Sequence, residues 1–419
     1  MINIQRKEDC VGCNACVQRC PTSCISMKED EQGFLYPIVD TNRCINCHLC
    51  EKVCPVINQS EARKPLKVFA AKNNNKEVKR LSSSGGVFFA LAETIIKESG
   101  VVFGAKFNDN WDVVHDFAER LEDVRAFQGS KYVQSRIGDS FAKAEQLLKT
   151  GRKVLFTGTP CQIAGLKRFL LKNYDNLITA DVVCHGVPSP LVWRDYLHYI
   201  THPQNGSDGK KDLKSTEDIK LCEVSRISFR DKRIGWSKYG FSVYTNNQIC
   251  IHHTDSHSLK NKPEERELLF ETLDKNLFMQ GFLKNLYLRP SCYECPAKCG
   301  KSGSDISLGD FWGIKNTQPQ DYDSTGVSLF LAYTHTGLEI PQQMDDRKAQ
   351  YSSSTYTAAI VGNPAIEHSV RRKRWTDEFW QLYPSKGLAV IPFLVRKATP
   401  SFANRIFVYI KRIILKLIS

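Results

Sequence analysis

The sequence predicts an α/β to α+β body, with a mainly parallel sheet and an added β-rich part, behind a small cysteine-rich domain. Three observations carry this reading. Nine of the sixteen cysteines fall between Cys10 and Cys54. Apolar strand-like runs then alternate with helical segments from Lys67 to Ile200, the pattern of a parallel α/β sheet. Beyond Ile200, short strand-like runs follow without intervening helices. At 419 residues the chain exceeds one ordinary domain. With 42% hydrophobic and 25% charged residues it has the composition of a soluble globular protein.

Residues 1–58 form the cysteine-rich domain, and the polar stretch 59–66 (QSEARKPL) reads as a linker. The body, 67–385, opens with the strand KVFAAK. A helix follows near Val87–Glu98, then the strand VVFGAKF at 101–107 and helical period at 138–150. KVLFTG at 153–158 is a buried-type strand running into a helix near Cys161. LITADVVC at 177–184 is another strand, followed by a helix over Pro190–Ile200. Residues 203–218 are polar and nearly free of apolar side chains, an exposed insert. VSRISFRD, GFSVYTN and QICIHHT are the later strands.

The cysteine runs are an internal repeat. Cys10-x2-Cys13-x2-Cys16-x3-Cys20-Pro21 is matched by Cys44-x2-Cys47-x2-Cys50-x3-Cys54-Pro55. Three cysteines at intervals of three curl around one small object, and the fourth, ahead of proline, ligates the other run's object. This is the spacing of a bacterial-type ferredoxin domain with two [4Fe-4S] clusters. Cluster one takes Cys10, Cys13, Cys16 and Cys54; cluster two takes Cys44, Cys47, Cys50 and Cys20. Zinc prefers two separated pairs and does not account for two equal runs of four. Cys24 has no place in the scheme and reads as a packed thiol. Cys222 and Cys250, in strand-like stretches, read as core thiols.

MINIQRKEDC has no apolar region of a signal peptide, and cluster thiolates need a reducing environment, so a cytoplasmic location is expected. The formal charge is +13. Three four-thiolate clusters at roughly −2 each would lower it to about +7. No nucleic-acid-binding module is present, so nucleic acid is not an expected partner. Residues 386–419 form a basic amphipathic tail. In 402–419, Arg405, Arg412 and Lys416 share one helical face opposite Ile406, Ile410, Ile413, Ile414 and Leu417. The charges argue against a membrane span. The segment suits peripheral contact at the inner membrane surface, a partner's groove, or packing on its own body.

Several stretches of the body are distinctive: LSSSGGVFF (81–89), GSKYVQS (129–135), FTGTPCQIAGL (156–166), CHGVPSP (184–190), SFRDK with the later Gly235-Trp236, and SCYECPAKCGKSGSDISLGDFWG (291–313). Together and in this order they resemble the coenzyme F-420 hydrogenase/dehydrogenase beta-subunit family, over about Leu81 to Gly313. The resemblance implies FAD, a third [4Fe-4S] cluster in the body, and electron exchange with a ferredoxin-type or other redox protein and a small-molecule substrate. The implied flavin site is Ser83, Ser84, Gly85, Gly86, Lys131, Tyr132, Gly158 and Thr159. Glycine turns approach a pyrophosphate closely, a lysine offsets charge and a tyrosine stacks on a ring. The implied third ligand set is Cys161, Cys184, Cys292 and Cys295, with Cys299 a competitor for one place. The expected function is an iron–sulfur flavoprotein oxidoreductase; some relatives of this layout lie in surface-polysaccharide biosynthesis. The alternative is a non-catalytic electron-transfer subunit serving a separate enzyme.

Overall fold

Runs of β-branched and aromatic residues build the central layer. In the computed structural model, which describes residues 1–202, 219–246 and 265–399, eight strands form one sheet. These are β3 (Lys67–Asn73), β4 (Val101–Phe107), β5 (Val113–Ala118), β6 (Val154–Gly158), β7 (Leu177–Val182), β11 (Ile306–Asp310), β12 (Ser328–Ala332) and β13 (Ala349–Ser354). Their order is β13-β3-β12-β11-β7-β6-β4-β5. β11, β7, β6 and β4 pair in parallel. The flanking pairs are antiparallel, so the parallel character lies at the centre. Val154, Leu155 and Phe156 of β6 are wholly buried, as a strand covered by helices on both faces requires.

The helix Val87–Lys97 lays Val87, Ala90, Leu91 and Ile95 against the sheet. The helix Pro160–Leu170 has a reciprocal cap between Thr159 and Gln162 and a proline in its first turn. Its buried face is Ile163, Leu166, Phe169 and Leu170. The expected β-rich part is an antiparallel sheet of β8 (Val224–Asp231), β9 (Gly240–Asn246) and β10 (Glu265–Thr272). Cys222 is not a core thiol. It is exposed on the short turn Leu221–Glu223, just before β8 turns Val224 into the core. The insert 203–218, the QICIHHT run with Cys250, and the tail segment 402–419 lie outside the described residues. Ahead of that segment, the helix Val390–Ala398 buries Val390, Ile391 and Leu394 in the body's core. Among the described residues, no helix is long and apolar enough to cross a membrane.

The N-terminal domain contains the hairpin β1 (Ile25–Glu29) and β2 (Leu35–Val39) and two short helices. It is packed onto the body. Val11, Cys13, Ala15 and Val53 share one apolar core with Phe141, Ile163, Leu166 and Phe169. Asn14 Nδ2 donates to Gly138 O at 2.6 Å, and Arg19 pairs with Glu145 at 3.3 Å. The stretch 59–66 runs along the body, where Arg63 N donates to Cys299 O at 2.8 Å and Leu66 N to Ala332 O at 2.7 Å.

Candidate redox centres and cofactor edge

The two cysteine runs have the same backbone course. Gly12 and Asn46, after the first cysteine of each run, have positive φ, as do Asn14 and His48 after the second. Left-handed residues at these places curl each loop, and Gly, Asn and His are the side chains that tolerate them best. A space of about 350 Å³ is lined by Cys10, Cys13, Cys16 and Cys54. A second, of about 330 Å³, is lined by Cys20, Cys44, Cys47 and Cys50. The fourth cysteine of each run has crossed to the other run's space. Cys24 also borders the second space, its sulfur 3.4 Å from that of Cys20.

Among the described residues, no three His, Cys, Asp or Glu donors close on a point as a single ion requires. Each set instead stands around an open space, a donor arrangement that fits a four-iron cluster. Amide donors face the sulfurs: Gly12 N to Cys10 at 3.4 Å and Ile2 N to Cys50 at 3.3 Å. Burial pushes the Cys16 thiol up to about 12. Burial also raises the thiols of Cys13 and Cys54, so holding these as thiolates needs bound positive charge. Cys10, Cys13 and Cys50 are buried and Cys47 is exposed, so the second set lies nearer solvent.

Parallel pairing of β6 and β7 sets Gly158 opposite Asp181, so the chain leaves both strands at one edge. Cys161 follows in the first turn of Pro160–Leu170, and Cys184 follows β7. Cys292 and Cys295 come from the turn after Arg289, held beside the CHGVPSP segment by the Pro188–Leu288 bridge. Burial raises the Cys161 thiol to about 12, with the charges of Cys295 and Cys184 adding to it. Cys184 is raised to about 11, chiefly by burial. Cys292 also rises, mainly through burial and then through Cys184, Cys295 and Cys161. These four half-buried thiols therefore lie near one another. Cys299 Sγ donates to Glu367 O at 3.3 Å.

The residues expected to hold a flavin line the same carboxyl edge of the sheet. Ser83 Oγ accepts from Ser130 N at 2.6 Å, which joins the serine–glycine turn to the loop carrying Lys131 and Tyr132. Ser84 Oγ donates to Val327 O at 2.8 Å. Gly85 N donates to Ser328 Oγ at 3.0 Å, and a β-carbon on Gly85 would meet Ala71 O at 2.6 Å. Gly86, with φ of 81°, opens the helix Val87–Lys97. Lys131 Nζ donates to Gln128 O at 2.9 Å and Gly129 O at 3.3 Å, and burial holds it down to about 7. The Tyr132 ring lies 4.8 Å from that of Phe282. Beside Gly158 and Thr159, His115 Nε2 donates to Thr157 O at 3.0 Å, and burial keeps this ring neutral, at about 4. A half-buried lysine with carbonyl partners and a serine–glycine turn opening a helix suit a bound phosphate.

Sequence reasoning assigned no role to another group at this edge. Arg230, buried, pairs with Asp310 at the end of β11, through Nη2–Oδ1 at 3.1 Å. Trp236 Nε1 donates to the same oxygen at 2.5 Å, and its ring stacks on Trp312 at 4.8 Å. The signal was present, since all four lie in the SFRDK, Gly235-Trp236 and DFWG segments. What was missing was the distance in sequence over which they meet.

Residues 151–355 match the family that describes the C terminus of the coenzyme F420 hydrogenase/dehydrogenase beta subunit. Residues 9–58 match the 4Fe-4S dicluster domain. Both bear out the resemblance read from the sequence. An uncharacterized protein of Methanocaldococcus jannaschii is 27% identical over 199 residues, 40% of this chain and 54% of that protein. A ferredoxin named 7Fe from Hydrogenibacillus schlegelii is 41% identical over 51 residues, 12% of this chain and 59% of that one. The chain thus spans little more than half the length of these curated relatives. A chain in a solved structure of the F420-reducing [NiFe] hydrogenase complex from Methanosarcina barkeri aligns with a TM-score of 0.45 at 16% identity, over 78% of this chain and 93% of that one.

Proposed function

We propose that this chain, a dicluster ferredoxin domain joined to a body of the coenzyme F420 hydrogenase/dehydrogenase beta-subunit family, is an iron–sulfur flavoprotein oxidoreductase. It passes electrons between a ferredoxin-type carrier and a two-electron small-molecule substrate. Cys10, Cys13, Cys16 and Cys54 hold one cluster, and Cys44, Cys47, Cys50 and Cys20 the second. Cys161, Cys184, Cys292 and Cys295 hold a third. Ser83 to Gly86, Lys131, Tyr132, Gly158 and Thr159 bind and orient FAD. A bound flavin supplies the exchange between paired and single electrons, while iron–sulfur clusters carry one at a time.

One observation carries the reading. Thr159 caps the helix on whose first turn Cys161 sits, and their side chains meet at 3.2 Å. The same few residues thus border the expected flavin turn and the four-thiol group. The electron-transfer-subunit reading is supported by the exposure of Cys47, which would leave the second cluster within reach of a redox partner. Anaerobic purification with iron and flavin assay tests the proposal. About twelve irons and one FAD per chain are expected; about eight irons remove the third cluster. Absence of flavin removes the flavoprotein reading. Substrate turnover by the isolated chain separates the enzyme from the electron-transfer reading.

A further inference from the structure

Arg289 is 1% exposed, among the largest fully buried side chains of the body. All three of its hydrogen-bond partners are neutral: Cys10 O (from Nε, 2.8 Å), Gln134 Oε1 (from Nη1, 2.9 Å) and Leu35 O (from Nη2, 2.9 Å). The guanidinium lies over the Tyr36 ring at 4.4 Å. Among the described residues no carboxylate pairs with it. An arginine side chain stays charged in proteins, and a buried charge without a counter-charge is costly. The fold nevertheless makes room for it. A β-carbon at Gly12, between Cys10 and Cys13, would stand 2.9 Å from Arg289 Nη1 and 2.9 Å from Gln134 Nε2.

Its position links two cysteine groups. In space it backs the Cys10–Cys13 loop. In the chain it starts the turn bearing Cys292 and Cys295, its carbonyl accepting from Cys292 N at 2.9 Å.

We infer that Arg289 is a buried counter-cation of the first cluster, holding its reduction potential up. A four-thiolate cluster is already anionic, and each electron it takes from a donor adds one negative charge. A fixed cation behind the ligand loop in a dry setting stabilises that added charge. Arg289 acts through this field and does not touch substrate. The inference rests on the first cluster of the function proposed above and needs only the dicluster domain.

The test is an anaerobic redox titration of full-length protein, followed by electron paramagnetic resonance, with iron counted in parallel. Arg289→Gln should keep its iron and lower the midpoint potential of the first cluster, with the solvent-side second cluster moving less. Arg289→Lys, which keeps the charge and loses the three-way fork, should stay near the wild-type potential. An unmoved potential in Arg289→Gln overturns the inference. Equal shifts in both variants also overturn it, because the fork and not the charge would then matter. If Arg289→Gln loses its iron, Arg289→Lys decides alone: a wild-type potential supports the inference and a lowered one overturns it. Loss of iron in both overturns it too and makes Arg289 a structural pin.

Discussion

A β-carbon on Gly165 would stand 2.8 Å from Cβ of Cys13. Gly165 is in the middle of the helix Pro160–Leu170, where alanine would ordinarily gain about 1 kcal/mol of helix propensity. Here the glycine lets the first ligand loop lie directly on the body. Gly165→Ala should therefore destabilise the protein, by about 1–3 kcal/mol from overpacking. It should also speed iron loss from the first cluster under a chelator. Thermal melts and chelation rates check this. A stabilised variant would mean that the loop yields at little cost.

Cys161→Ser should lower iron from about twelve to about eight per chain. The N-terminal clusters should survive, because their eight ligands lie within residues 10–54. Under the proposed function, reduction of FAD by electrons entering through the ferredoxin domain should slow. Stopped-flow reduction by a low-potential donor, with flavin bleaching and cluster signals followed separately, measures this. Full iron content and a normal rate would show that Cys161 is no ligand.

Much of this site was legible in the sequence, for local reasons. The C-x2-C-x2-C-x3-C-P spacing encodes the curl of each loop, and its crossed fourth cysteines need no distant information. β4 spans the seven residues read as a strand because an apolar run bounded by turn residues sets its own ends. Cys299 illustrates the opposite case. It entered as an extra cysteine that could displace one of the four implied ligands, and its contact with Glu367 O comes from a segment remote in sequence. The docking of the ferredoxin domain was not legible either. Arg289 meets Cys10 across 279 positions, and no periodicity announces such a partner.

Asp310 is the partner of a buried cation, so its removal should be expensive. Arg230 is nearly sealed from solvent, and Asp310 also accepts from Trp236. Asp310→Ala leaves a guanidinium and an indole N–H without acceptors and should cost about 3–5 kcal/mol. The double variant Arg230→Met, Asp310→Leu removes both charges and should recover a large part of that loss. Denaturant unfolding of the set checks both statements. Equal losses in the single and double variants would assign the cost to packing around Trp236 and Trp312.

Lys131 gives a pH dependence with a definite sign. Burial holds its ammonium down to about 7 in the folded protein, against about 10.4 in an unfolded chain. Below about pH 7 both states carry the proton, and the folded state bears the full penalty of a buried charge. Between about 7 and 10.4 the unfolded chain binds more protons, so stability rises with pH through that window. Flavin-free Lys131→Met should therefore be more stable than wild type at pH 6, with the gap closing toward pH 10. Denaturant unfolding at pH 6, 8 and 10 and constant ionic strength measures this. Under the proposed function a bound dinucleotide would supply the missing anion, so the same variant should bind FAD more weakly while being more stable empty. A variant less stable than wild type at pH 6 would show that the Gln128 and Gly129 carbonyls already compensate the ammonium. Lys131 would then close its own turn and need no ligand.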